Sequence, residues 1–117
     1  MTYCVGMKID RGLVFMSDTR TNAGLDNIST FSKMRSWNKA GERVIVLLSA
    51  GNLATTQAVA SLLEERMKAP EDRHPSVFDA PSMFQVARLI GDTVKEVITN
   101  SATGGQSADA FGASFIL

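Results

Sequence analysis

Strand-like and helix-like patterns occupy separate blocks of this chain, and that order constrains the fold more than any single residue does. Thr2 to Ile9 alternates, with Tyr3, Val5, Met7 and Ile9 on one face and Thr2, Cys4, Gly6 and Lys8 on the other. That is the period of a β-strand. Asp10-Arg11-Gly12 is a tight turn and Leu13 to Ser17 a short apolar return, so the pair is predicted to be a β-hairpin. Thr21 to Asn27, with Gly24 and two asparagines, is predicted to be loop. Ile28 to Trp37 is a mixed segment that places Phe31, Lys33 and Arg35 on one face if extended. A second turn, Asn38 to Glu42, leads into Val44 to Leu48, the longest apolar run and of strand length.

Helical signals then take over. Gly51-Asn52 breaks the strand, Asn52 is a good N-cap, and Val59, Leu62, Leu63 and Met67 recur at helical spacing. Pro70 and Pro75 bracket a charged loop. A second helix is expected from about Ser82, where Ser82 and Gln85 form a capping box and Met83, Val86, Ile90, Val94 and Val97 form the apolar stripe. Ser101 to Asp109 is a small, polar connection, and Phe111 to Leu117 is a last strand. Strands first and helices afterwards give an α+β class, a helical layer on an antiparallel sheet. The last strand has no later partner. Residues 1–117 are therefore expected to be one domain, and only its N-terminal part, with helices near 52–68 and 82–100 and a strand near 111–117.

Composition excludes more than it selects. A chain of 117 residues holds one small domain with one core. Twelve basic and twelve acidic residues cancel, so no basic face points to nucleic acid and no polybasic tract to a membrane. No apolar run approaches the roughly 20 residues of a spanning helix, and the start lacks the pattern of a signal peptide. A single cysteine rules out an internal disulfide and fits a reducing compartment, so a cytoplasmic location is expected. No His, Cys or Asp spacing suggests a metal site. His74 lies in the Pro-bracketed charged loop, and Gly104-Gly105 lacks the strand–loop–helix context of a phosphate cradle. Neither metal nor cofactor is expected.

The chemistry-bearing residue is Thr2. A small side chain directly after the initiator methionine permits removal of that methionine, which would expose a hydroxyl nucleophile and a free α-amine on one residue. Asp18 follows in Ser17-Asp18-Thr19-Arg20, then Lys33, then Ser49-Ala50-Gly51. Cys4 is expected to be a small buried hydrophobe rather than a second nucleophile.

Taken in order and spacing from Thr2, these residues resemble a proteasome β-type subunit. The start Met-Thr-Tyr-Cys-Val, Arg20-Thr21-Asn22-Ala23-Gly24, Asp26 to Phe31 and the ending Phe111 to Leu117 are similar to the Anbu branch, the bacterial ancestral β-subunits. The resemblance covers essentially the whole chain. It implies the four-layer αββα sandwich of the N-terminal-nucleophile hydrolases, of which this chain supplies about half. It also implies a threonine endopeptidase acting on a peptide or protein substrate, and self-association into a ring or spiral. Carried over by residue, Thr2 is the nucleophile with its α-amine as base. Lys33 places a positive charge beside them, Asp18 holds Lys33, and the Gly51 N–H faces the oxyanion. Asn22, Gly51 and Leu53 line the edges along which an extended peptide would lie, and Thr21 and Ser49 line the specificity pocket. The family lysine sits one residue further from the threonine, at the position of Met34 here. Lys33 is preferred, with a one-residue deletion in the preceding loop. Two alternatives stay open: a catalytically silent subunit of a proteasome-like ring, and an amidohydrolase on a small-molecule substrate.

Overall fold

The computed structural model describes residues 2–22, 28–30, 32–68, 76–101 and 112–117. The chain divides into two compact units, Met1–Ala50 with Ser114–Leu117, and Gly51–Ala113.

The first unit is built from hairpins. β1 (Cys4–Ile9) and β2 (Gly12–Ser17) pair antiparallel around the Asp10-Arg11 turn, in a register running from Ile9 opposite Gly12 to Cys4 opposite Ser17. The ladder continues one rung further, because the Asp18 N–H donates to the Tyr3 carbonyl at 3.1 Å. Opposed residues share a face, so Cys4, Gly6, Phe15 and Ser17 lie on one side. There Phe15 covers Gly6, and a Cβ at Gly6 would meet its ring at 3.2 Å and Ile116 at 3.9 Å. Tyr3, Met7, Ile9, Val14 and Met16 occupy the other side and are exposed. The small residues of the first face let the hairpin approach Ile116 closely.

The segment from Thr21 departs from the loop expected there. Arg20–Asn22 forms β3 and pairs antiparallel with β4 (Ile28–Thr30), Thr21 opposite Ser29 and Asn22 opposite Ile28. Threonine and isoleucine favour extended backbone; of the residues that suggested a loop, Gly24 and Asn27 fall within 23–27, whereas Asn22 is part of β3. That stretch lies outside the described residues, as do Phe31, Pro70, His74, Pro75, Gly104, Gly105 and Phe111.

β5 (Met34–Lys39) and β6 (Arg43–Gly51) form the next hairpin, and β7 (Ala113–Ile116) joins on the free side of β6. Consecutive strand residues point to opposite faces, and Leu47 and Leu48 are 2% and 0% exposed. β6 is therefore buried on both faces at Leu47 and Leu48, although Val44 at the start of the apolar run is exposed, and burial on both faces favours a continuous apolar run over an alternation.

The second unit holds α1 (Leu53–Lys68) and α2 (Met83–Ser101), packed on each other. Asn52 caps α1, its Oδ1 accepting the Thr55 N–H at 3.0 Å. Ser82 caps α2, accepting the Gln85 N–H at 3.2 Å. The buried stripe of α2 is Val86, Ile90, Thr93 and Val97, whereas Met83, assigned to it above, is exposed in the first turn. Thr93 is accommodated because its hydroxyl donates to the Leu89 carbonyl at 2.9 Å and accepts from Arg66 of α1 at 2.8 Å. Arg66 also pairs with Glu96 at 2.7 Å, so one guanidinium ties the two helices together.

Candidate functional site

The fold places Asp18 and Lys33 at corresponding points of two different hairpins. Asp18 follows β2 and stands opposite Tyr3, while Lys33 precedes β5 and stands opposite Ser49, whose N–H donates to the Lys33 carbonyl at 2.9 Å. Their side chains meet: Lys33 Nζ lies 2.7 Å from Asp18 Oδ2. The second carboxylate oxygen, Oδ1, accepts the backbone N–H of Tyr3 at 2.8 Å. One carboxylate thus joins the lysine to the residue directly after Thr2. The Lys33 donor holds the Asp18 carboxyl well below its usual 3.8, at about 2, and the Tyr3 N–H adds to the effect.

Lys33 is 6% exposed, and the paired carboxylate is what makes burying the cation tolerable. Met34, the rival position, is 39% exposed and points the opposite way along the strand. Within these residues the ion-paired, inward cation is at position 33.

Ser49 is held tightly. Its hydroxyl donates to the Lys33 carbonyl at 3.2 Å, alongside its own N–H. Its carbonyl in turn lies 3.6 Å from the Cys4 thiol. Cys4 is half-buried, and burial together with the Asp18 charge pushes its thiol up, only partly offset by Lys33. That is the condition of an inert packing thiol rather than a thiolate nucleophile. Thr2 is half-buried at the start of this assembly. Thr21 and Asn22 lie on β3, their backbones paired with Ser29 and Ile28.

Gly51 closes β6 with φ of +109°, and Asn52 then caps α1. A Cβ at Gly51 would fall 2.6 Å from the Gly112 carbonyl oxygen and 2.9 Å from the Ala113 Cα, so both the torsion and the space require glycine. Leu53 opens α1 with an exposed side chain. Among the described residues no group of three His, Cys, Asp or Glu is placed to hold a metal ion, and no helix is long and apolar enough to cross a membrane.

Reasoning from sequence singled out Asp18, Lys33 and Ser49 and paired Asp18 with Lys33, but missed two further links, the Tyr3 amide on Asp18 and the Ser49 hydroxyl on the Lys33 carbonyl. The signal was present. Counting outward from the Asp10-Arg11 turn sets Tyr3 opposite Asp18, and counting outward from Ala40-Gly41-Glu42 sets Lys33 opposite Ser49.

Paired hairpins ahead of two packed helices, with this lysine–aspartate pair beside the first strand, define an α+β fold of the proteasome β-subunit type. No protein-family model and no curated protein matches the chain, but solved structures do. Anbu (ancestral β-subunit) from Yersinia bercovieri is 43% identical with a TM-score of 0.84, over 98% of this chain and 45% of that one. The Gly-1 mutant of Anbu from Hyphomicrobium sp. strain MC1 is 45% identical with a TM-score of 0.83, over 98% and 45%. Anbu from Pseudomonas aeruginosa, solved as a helical assembly of the Anbu complex, is 39% identical with a TM-score of 0.81, over 98% and 46%. The chain belongs to the Anbu family, and it spans under half the length of these relatives.

Proposed function

We propose that this chain carries the nucleophile end of a threonine peptidase, cleaving peptide or protein substrates through an acyl-enzyme. The observation that carries the reading is the Asp18 carboxylate, shared between Lys33 Nζ and the amide of Tyr3. It sets a buried cation at a fixed place relative to the residue after Thr2. With Met1 removed, the Thr2 α-amine has a reference pKa of about 7.7–8.0, and a nearby ammonium favours its neutral, proton-accepting form.

The Thr2 hydroxyl attacks the substrate carbonyl and gives its proton to the α-amine. The tetrahedral oxyanion is met by the Gly51 N–H. Collapse breaks the C–N bond, the leaving amine takes the proton back, and an ester to Thr2 remains. Water, activated by the same amine, hydrolyses that ester and restores the hydroxyl. Asn22, Gly51 and Leu53 are assigned to the edges along which an extended substrate pairs, and Thr21 and Ser49 to the pocket for its side chain. Self-association is part of the proposal, supported by the helical assembly of the Pseudomonas aeruginosa relative. A cytoplasmic setting is proposed with it.

The test is covalent labelling with a β-lactone or epoxyketone, read by intact mass. The expected result is a protein beginning at Thr2 that gains one adduct, and a Thr2→Ala variant that gains none. Labelling of a protein that retains Met1 would refute the mechanism, since an amide nitrogen there has no basicity.

A further inference from the structure

The Asp18–Lys33 pair belongs to a closed circuit of contacts within the first unit. Starting at Tyr3, its N–H binds Asp18 Oδ1 at 2.8 Å, and Asp18 Oδ2 binds Lys33 Nζ at 2.7 Å. The Lys33 carbonyl takes both donors of Ser49, at 2.9 and 3.2 Å, and the Ser49 carbonyl takes the Cys4 thiol at 3.6 Å. Cys4 is bonded to Tyr3, which closes the loop. Within this circuit, two side chains bear on the lysine's placement without touching its ammonium, those of Ser49 and Cys4. Ser49 is the stronger, because its hydroxyl doubles the hydrogen bonding of the carbonyl that fixes where the Lys33 side chain starts.

We infer that Ser49 is a positioning residue for Lys33, its hydroxyl holding the lysine backbone so that the ammonium stays on Asp18. This rests on the threonine-peptidase reading for its effect on rate, and not for its effect on Asp18. A serine that only lined the substrate pocket would turn its hydroxyl outward and govern how well a ligand binds. Here the hydroxyl is committed to a main-chain acceptor on the neighbouring strand. The loss of one neutral hydrogen bond corresponds to a roughly two- to tenfold change.

Two measurements on the full chain separate the outcomes. In time-dependent labelling by a β-lactone, Ser49→Ala is expected to lower the maximal labelling rate about two- to tenfold, over and above any change in the half-saturating concentration that its place beside the substrate pocket brings. Ser49→Thr, which keeps the hydroxyl, is expected to restore the rate. Carbon NMR of the Asp18 carboxyl reports on the lysine whether or not the protein is a peptidase. Ser49→Ala is expected to raise its titration midpoint from about 2 toward the usual 3.8, and Ser49→Thr to leave it in place. An unmoved Asp18 midpoint in Ser49→Ala overturns the inference, as does a change confined to the half-saturating concentration. If wild type and Thr2→Ala fail equally to label, the peptidase reading falls and the Asp18 midpoint alone decides the role of Ser49.

Discussion

Replacing glycine by alanine at positions 51 and 91 should shift stability in opposite directions. At Gly51, φ is +109°, a torsion that alanine adopts at a cost of about 1–3 kcal/mol. The new Cβ would sit 2.6 Å from the Gly112 oxygen, and backbone rather than a flexible side chain must retreat. That same oxygen accepts the Asn52 N–H at 3.0 Å, a bond worth about 0.5–1.5 kcal/mol. The loss totals about 1.5–4.5 kcal/mol. Gly91 lies exposed within α2 with nothing within 4 Å of an added Cβ, so alanine there gains about 0.5–1 kcal/mol of helix stability. Unfolding entropy of about 2.1 cal/mol/K per residue gives a chain of 117 residues roughly 0.25 kcal/mol/K. Gly51→Ala should therefore lower Tm by about 6–18 °C and Gly91→Ala raise it by about 2–4 °C, by circular dichroism under identical conditions. A Gly51→Ala protein within about 1 °C of wild type would refute the reasoning, because it would show that the β6–α1 junction has room to relax.

Lys33→Ala should lower β-lactone labelling by on the order of a hundredfold, whereas Met34→Ala should change little beyond packing. The reverse outcome would put the functional register one residue later. The folded Asp18 carboxyl sits at about 2 against an ordinary 3.8, so its contribution to stability is complete above the ordinary value and disappears as pH falls through that window toward 2. Urea midpoints of wild type and Asp18→Asn should accordingly converge between about pH 5 and pH 2, and parallel curves would count against the pair. Residues 1–117 alone should self-associate in analytical ultracentrifugation, because Tyr3, Met7, Ile9, Val14 and Met16 form one exposed apolar face. A compact monomer with a cooperative transition would contradict this.

Local pattern revealed most of the elements, but not the side of the first hairpin that turns inward. Alternation separated Tyr3, Val5, Met7 and Ile9 from Cys4, Gly6 and Lys8, and hydrophobicity alone would bury the former set. The structure turns Gly6 toward Ile116 and Cys4 toward the Ser49 carbonyl instead, because close approach of two sheets favours small side chains, a requirement set by the partner and not by the strand. Thr93 was invisible for a similar reason. A threonine in an apolar stripe reads as a gap until Arg66, from the other helix, supplies its donor. The β3–β4 pair was hidden because three-residue strands are too short for periodicity to register. Asp18 and Lys33 were singled out through the family resemblance, because they stand on different hairpins and no local pattern joins them; turn positions fix only their backbone partners, Tyr3 and Ser49.

Asp18 grips Tyr3 from both sides, its side chain taking the Tyr3 N–H and its own N–H meeting the Tyr3 carbonyl. The third residue is thereby anchored whatever precedes Thr2. A purification tag fused ahead of Thr2 should leave the hairpin and the lysine–aspartate pair undisturbed while converting the α-amine to an amide. On the proposed chemistry such a protein would look well folded by every spectroscopic criterion and still be inert. On that chemistry, an inactive preparation of an N-terminally tagged chain would report on the tag rather than on the site.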